Sequence, residues 1–131
     1  MTPAPQAVVQ QAQAVDLTRL LAAIAAVESG NDKNAVGQHG ERGLYQIMPS
    51  TWDENARESF DWAFDPKHAM PVARQILIKL KWEMQERRIE PSAYNLALAW
   101  RGGVGAVVLG KWVNRDLRDY AVRVENIFYA R

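Results

Sequence analysis

Apolar residues in this chain fall mostly at helical spacing. Leu17, Leu20, Leu21, Ile24 and Val27 share one face of a helix that Asp16 caps and Gly30 ends. Ser50 followed by Asp53 reads as a capping-box-like start for a short helix carrying Trp52, whose first expected role is core packing. Asp65-Pro66 opens a longer helix, with Ala69, Val72, Ala73, Ile76, Leu77, Leu80 and Met84 on one side and an end near Arg87. Pro71 sits inside that pattern and predicts a kink or a delayed start. Pro91 opens the next helix, residues 92 to about 100, stopped by Gly102-Gly103; a short one over 104–109 follows. Asn114 caps the last, with Leu117, Tyr120, Ala121, Val124 and Phe128 inward.

Two stretches break the helical pattern. Residues 1 to about 14 are rich in Pro, Gln and Ala and read as a flexible lead, giving a boundary between 1–15 and a single domain over 16–131. From residue 31 to 45, Gly37, Gly40 and Gly43 punctuate polar positions, which predicts loops with a short hairpin. The expected fold is mainly α, one helical domain with a small loop or β-hairpin segment.

The totals narrow the chemistry. A length of 131 residues suits one domain with a real core, and a net charge of +1 supplies no field to gather nucleic acid or a membrane surface. The basic residues at Arg87-Arg88 and between Arg115 and Arg123 read as solvated helix faces. There is no cysteine, which removes disulfides and thiolate chemistry together. His39 and His68 are isolated, so neither a metal nor another cofactor is expected. No apolar run is long enough for a membrane span. No Lys or Arg precedes Arg19, so the start lacks the charged front of a secretory signal, and export by a route not visible in these residues is expected.

Glu28 stands out against this background. It follows an apolar run, lies in the final turn of its helix and precedes Gly30 by two residues. Unpaired carbonyls make that end negative, and apolar neighbours disfavour charge, so both push a carboxyl toward its protonated form. A protonated glutamic acid can donate to a glycosidic oxygen. Alone, Glu28 has a plainer reading as a surface glutamate. Further along, glycines that let a backbone approach a ligand precede Gln46, an amide able to donate and accept, with Tyr45 beside it as an aromatic face.

Glu28-Ser29, Ala35, Gly40, Gly43-Leu44, Gln46-Ile47-Met48-Pro49 and Thr51 together resemble the lysozyme-like superfamily, most closely its soluble lytic transglycosylase branch. The resemblance extends from about Leu17 to Tyr129 and includes Arg118-Asp119-Tyr120. It implies a lysozyme-like fold that cuts the β-1,4 bond between N-acetylmuramic acid and N-acetylglucosamine in peptidoglycan. Glu28 would be the acid and then the base, and Ser29, Tyr45, Gln46, Met48, Trp100, Arg101 and Tyr120 would contact the glycan. The implied setting is the cell envelope, the periplasm or outside the cell, with secretion machinery or a phage particle as potential partners.

Four departures bear on mechanism. Gly37 stands where that family has serine, Tyr45 where it has methionine, and Trp100-Arg101 where it has Tyr-Asn. Trp100 can stack on a sugar or pack in the core, and Arg101 can bind a lactyl or peptide carboxylate. Glu41 replaces an alanine. With Glu28 as the single acid, the substrate's own C6 hydroxyl attacks and leaves a 1,6-anhydro end. With Glu41 as a second carboxylate, lysozyme-type hydrolysis opens. Glu41 as a loop residue paired to Arg42 or Lys33 is the plainer alternative, and a glycan-binding module with decayed activity is the rival to any enzyme. Asp32 reads as turn chemistry, Asp53 and Glu54 as helix-start charges.

Overall fold

The computed structural model describes residues 14–130; the proposed N-terminal lead falls almost wholly outside them. Among the described residues, α1 (Leu17–Ser29), α2 (Pro49–Asn55), α3 (Pro66–Glu86), α4 (Ala93–Gly102), α5 (Val104–Leu109) and α6 (Arg115–Tyr129) are joined by loops and two 3-10 turns, Phe60–Phe64 and Gly110–Trp112.

Three helices start at the side-chain acceptors expected for them, and α4 gains a fourth in Ser92, which caps the helix instead of opening it. Asp16 accepts from Arg19 N–H at 3.2 Å, Asp65 from Lys67 N–H at 2.9 Å, Ser92 from Asn95 N–H at 3.1 Å and Asn114 from Leu117 N–H at 2.9 Å. Each satisfies an N–H that the first helical turn leaves without a partner. Two expectations need correction. Ser50 does not cap α2, which begins a residue earlier at Pro49 with Met48 as N-cap and no side-chain bond. Proline at the first position needs no N–H partner, so the start is stable without a capping hydroxyl. At Pro71, of the two alternatives, the delayed start is not taken: α3 starts at Pro66 and runs through it.

α4 is the central helix. Ala93, Leu96, Ala97, Leu98 and Ala99 are all buried, and its alanines let α6, α5 and α3 pack closely around it. α1 adds Leu20, Leu21, Ala23, Ile24 and Ala25 and lies against α6 and α3. Each fully buried leucine or isoleucine contributes about 2 kcal/mol of apolar transfer. Trp52 is 0% exposed, and its Nε1–H donates to Glu58 O at 2.9 Å, fixing α2 to the segment that follows.

The expected hairpin reduces to two isolated antiparallel bridges, Val36 with Arg42 and Arg42 with Ile47. Its backbone is held by Gly37 N–H to Glu41 O at 2.8 Å, Gly43 N–H to Ala35 O at 2.9 Å and a reciprocal pair between Arg42 and Ile47. Arg42 then docks the loop on the first 3-10 turn. Its guanidinium pairs with Asp61 at 3.1 Å and lies 4.4 Å from the Phe60 ring centroid and 5.0 Å from that of Phe64. Gly43, at φ +81°, passes so close under the Ala63 carbonyl that a Cβ there would overlap it. These contacts set the loop beside the C-terminal end of α1.

Candidate active site

Glu28 sits in the last turn of α1, with no basic residue near it in that turn. Gly30 closes the helix in the left-handed conformation, at φ 63°, with its N–H on the last carbonyls. Burial raises the Glu28 pKa above the usual carboxylate range. The Tyr120 hydroxyl and the Arg101 charge oppose that rise, and Glu41 adds to it. Tyr120 comes from the buried face of α6 and is 3% exposed. Its buried hydroxyl has no hydrogen-bond partner at full geometry among the described residues, yet lies near enough to Glu28 to oppose the rise in that carboxyl's pKa. Burial first and the neighbouring carboxyl next push that phenol far up, so it stays a neutral donor.

Arg101, in the last turn of α4, is exposed, with its guanidinium 4.9 Å from the Tyr120 ring centroid. Its charge acts on Glu28, Glu41 and Tyr120 together. It also borders a hollow of about 230 Å³ shared with Asn114, Asp116 and Leu117. Gln46, Ile47, Met48, Thr51, Ile76 and Trp100 line a second, smaller hollow of about 60 Å³. Met48 is 38% exposed there, and Trp100 is half-buried with its Nε1–H donating to Tyr45 O at 3.3 Å. A larger hollow of about 470 Å³, bordered by Glu54, Asn55, Arg57, Gln75 and Lys79, includes none of these residues.

Glu41 is not paired to Arg42 or Lys33. Arg42 is committed to Asp61, and Glu41 Oε1 accepts the His39 N–H at 2.7 Å. A bond from its own backbone N–H, joined by that of His39, holds the Glu41 pKa below the usual range against the opposing cost of burial. One carboxyl is held toward its acid form and the other toward its base form. Among the described residues no cluster could hold a metal ion.

Three of the expected contact residues also have partners within the protein. Ser29 Oγ donates to Leu44 O at 2.8 Å, lies 3.1 Å from Ala25 O, and accepts Asp32 N–H at 3.2 Å. Its single proton and a lone pair are spent on tying the end of α1 to the loop. Tyr45 is 6% exposed and belongs to the core, leaving little ring face for stacking. Gln46 spends Nε2 on Ala35 O at 3.2 Å and Gly43 O at 2.9 Å, which leaves only its carbonyl oxygen to act as an acceptor. Arg42 is the site-building residue that the sequence pattern did not single out; a cation followed at once by Gly43 and later by an aromatic Phe60–Phe64 turn was the available signal.

The sequence model of the Transglycosylase SLT domain matches residues 8–115, most of the chain. This chain belongs to the transglycosylase SLT domain family. No curated protein sequence matches it. The SLT domain is similar in structure to an inactive Glu-to-Gln mutant of the lytic transglycosylase Slt from Pseudomonas aeruginosa, at TM-score 0.73 and 19% identity, covering 85% of this chain and 20% of that one. It is also similar to the 70 kDa soluble lytic transglycosylase Slt70 from Escherichia coli, at TM-score 0.71 and 20% identity, covering 84% of this chain and 21% of that one. The SLT domain thus spans about a fifth of each, and at these identities the likeness shows a shared fold. No described helix is long and apolar enough to cross a membrane.

Proposed function

We propose that this SLT domain is a peptidoglycan lytic transglycosylase that cleaves the β-1,4 bond between N-acetylmuramic acid and N-acetylglucosamine, with Glu28 as general acid and then base. The observation that carries this reading is the partly buried Glu28 carboxyl at the end of α1, held toward its protonated form with Tyr120 and the Arg101 charge near it. Family membership and the fold shared with two lytic transglycosylases support it. Glu28 gives its proton to the bridging oxygen as the C1–O bond breaks, and the electron pair leaves with that oxygen. The C6 hydroxyl of the muramic residue then bonds to C1, and its proton passes to the Glu28 carboxylate. A 1,6-anhydro end results, and Glu28 is again protonated.

In the smaller hollow, Met48 and Trp100 keep apolar surface accessible to a sugar face, and the Gln46 carbonyl oxygen is free to accept from a hydroxyl. This substrate places the work in the cell envelope or outside the cell. Mass spectrometry of products from purified sacculi tests the reading: anhydro-muramic ends are expected. Intact sacculi after prolonged incubation would favour a glycan-binding module instead.

Arg101 gives a prediction with a defined sign. Its positive charge favours ionised Glu28, so removing it raises the Glu28 pKa further. Glu28 must carry a proton to act, and the alkaline limb of kcat/KM against pH reports its loss. Arg101→Ala is expected to move that limb to higher pH, while Arg101→Lys leaves it near its original place. A limb that stays fixed in Arg101→Ala would separate Arg101 from the acid.

A further inference from the structure

The hollows of about 60 Å³ and about 470 Å³ adjoin. Thr51 borders the smaller and Asn55 the larger, one turn apart on α2, and the Asn55 amide donates to Thr51 O at 2.8 Å. On α3, Ile76 borders the smaller and its chain neighbour Gln75 the larger. α2 packs against α3, so both hollows are cut into the same seam. One turn of helix advances only about 6 Å. A substrate resting on Met48 and Trp100 therefore has little distance to cover before it reaches the larger hollow.

That larger hollow has a different chemistry. Its volume falls in the range of small-ligand sites, but no aromatic ring borders it, so a sugar finds no face to stack on. Val72, which is buried, and half-buried Ala56 supply apolar surface. The exposed rim carries both signs of charge, with Glu54 and Arg57 around the end of α2 and Lys79 on α3. Among the described residues none of these three has an ion-pair partner, whereas Glu58, also at the rim, is spent on His68. N-acetylated sugars offer no charge to meet them. The peptides that branch from the muramic lactyl group do, with carboxylates, an ammonium and a row of amides.

We propose that the larger hollow is a stem-peptide subsite. It holds the peptide of a muramic residue whose sugar lies over Met48 and Trp100, and it favours peptide-bearing glycan over bare strands. Arg57 and Lys79 take the peptide's carboxylates, Glu54 its ammonium, and the Gln75 amide pairs with its backbone. This rests on the reading of the domain as a peptidoglycan lytic transglycosylase, and it names the part of that substrate the domain selects.

The test compares kcat/KM on two substrates from the same sacculi, glycan strands with their stem peptides and strands stripped of them by an amidase. Wild type is expected to prefer the first. The double variant Arg57→Ala/Lys79→Ala should lose about tenfold on peptide-bearing strands, through KM, and nothing on bare ones. Arg57→Lys/Lys79→Arg keeps both charges and should stay near wild type. Equal losses on both substrates, or no loss on either, overturn the proposal. The released peptides are also titrated alone, with backbone amide shifts read by NMR. Shifts centred on residues 54–58 and 71–79, and absent from the alanine double variant, are expected; shifts elsewhere, or none, overturn the subsite. This second measurement needs no turnover. A protein that binds the peptides here and cleaves neither strand loses the transglycosylase reading and keeps the subsite.

Discussion

Glu28→Gln is expected to lower turnover on peptidoglycan glycan strands by about a thousandfold while leaving the fold intact. The amide is nearly isosteric with the protonated carboxyl that burial favours, but it has no proton to give. The same substitution should raise the melting temperature at neutral pH. A carboxyl whose folded pKa lies above its unfolded value costs stability once pH exceeds the folded value, and costs nothing below the unfolded one. The melting difference between variant and wild type should therefore shrink to zero as pH falls below the ordinary carboxylate range. Thermal denaturation across pH, paired with product quantification, checks both halves. Turnover equal to wild type would remove Glu28 from the chemistry. A melting difference independent of pH would remove the linkage.

Gly43→Ala is expected to cost about 3 kcal/mol, or roughly 10 °C in melting temperature for a domain of this size. Two causes add. The residue sits at φ +81°, which an L side chain rarely adopts, and its Cβ would meet the Ala63 carbonyl, a backbone group that cannot rotate away. Gly40→Ala supplies the control. Its φ is similar at +86°, yet its Cβ would find only Pro49 Cγ at 3.7 Å, so only the conformational part, about 1 kcal/mol, is expected there. Equal losses in the two variants would mean that the approach to Ala63 contributes nothing. Activity should fall with Gly43→Ala as well, because Gly43 O holds the Gln46 amide and its N–H holds Ala35.

The helices were legible because their signals are local. Asp16, Asp65, Ser92 and Asn114 each cap an N–H two or three residues ahead, and spacing along α1, α3 and α6 repeats over several turns. Ser50 misled because its capping pattern was intact while Pro49 satisfied the same need one residue earlier. The loop from 36 to 47 was harder to read. A chain with no period offers no face to predict, and its partners come from distant positions: Arg42 finds Asp61 and Phe60, and Ser29 finds Leu44. Glu28 was visible because the apolar run before it in its own helix foretold the burial that raises its pKa. The depressed pKa of Glu41 was not, because it depends on how a glycine-rich turn orients two N–H groups, and sequence does not spell that out.

The interlock of this loop also bears on how such a domain can be altered. Gly37 must stay bare for Glu41, Gln46 must reach across to Ala35 and Gly43, and Arg42 must meet both an acid and two rings on another segment. Exchanging these positions one by one breaks a fit before a new one can form. Engineering toward another specificity is best served by transplanting residues 35–47 and the 3-10 turn beneath them as a single cassette.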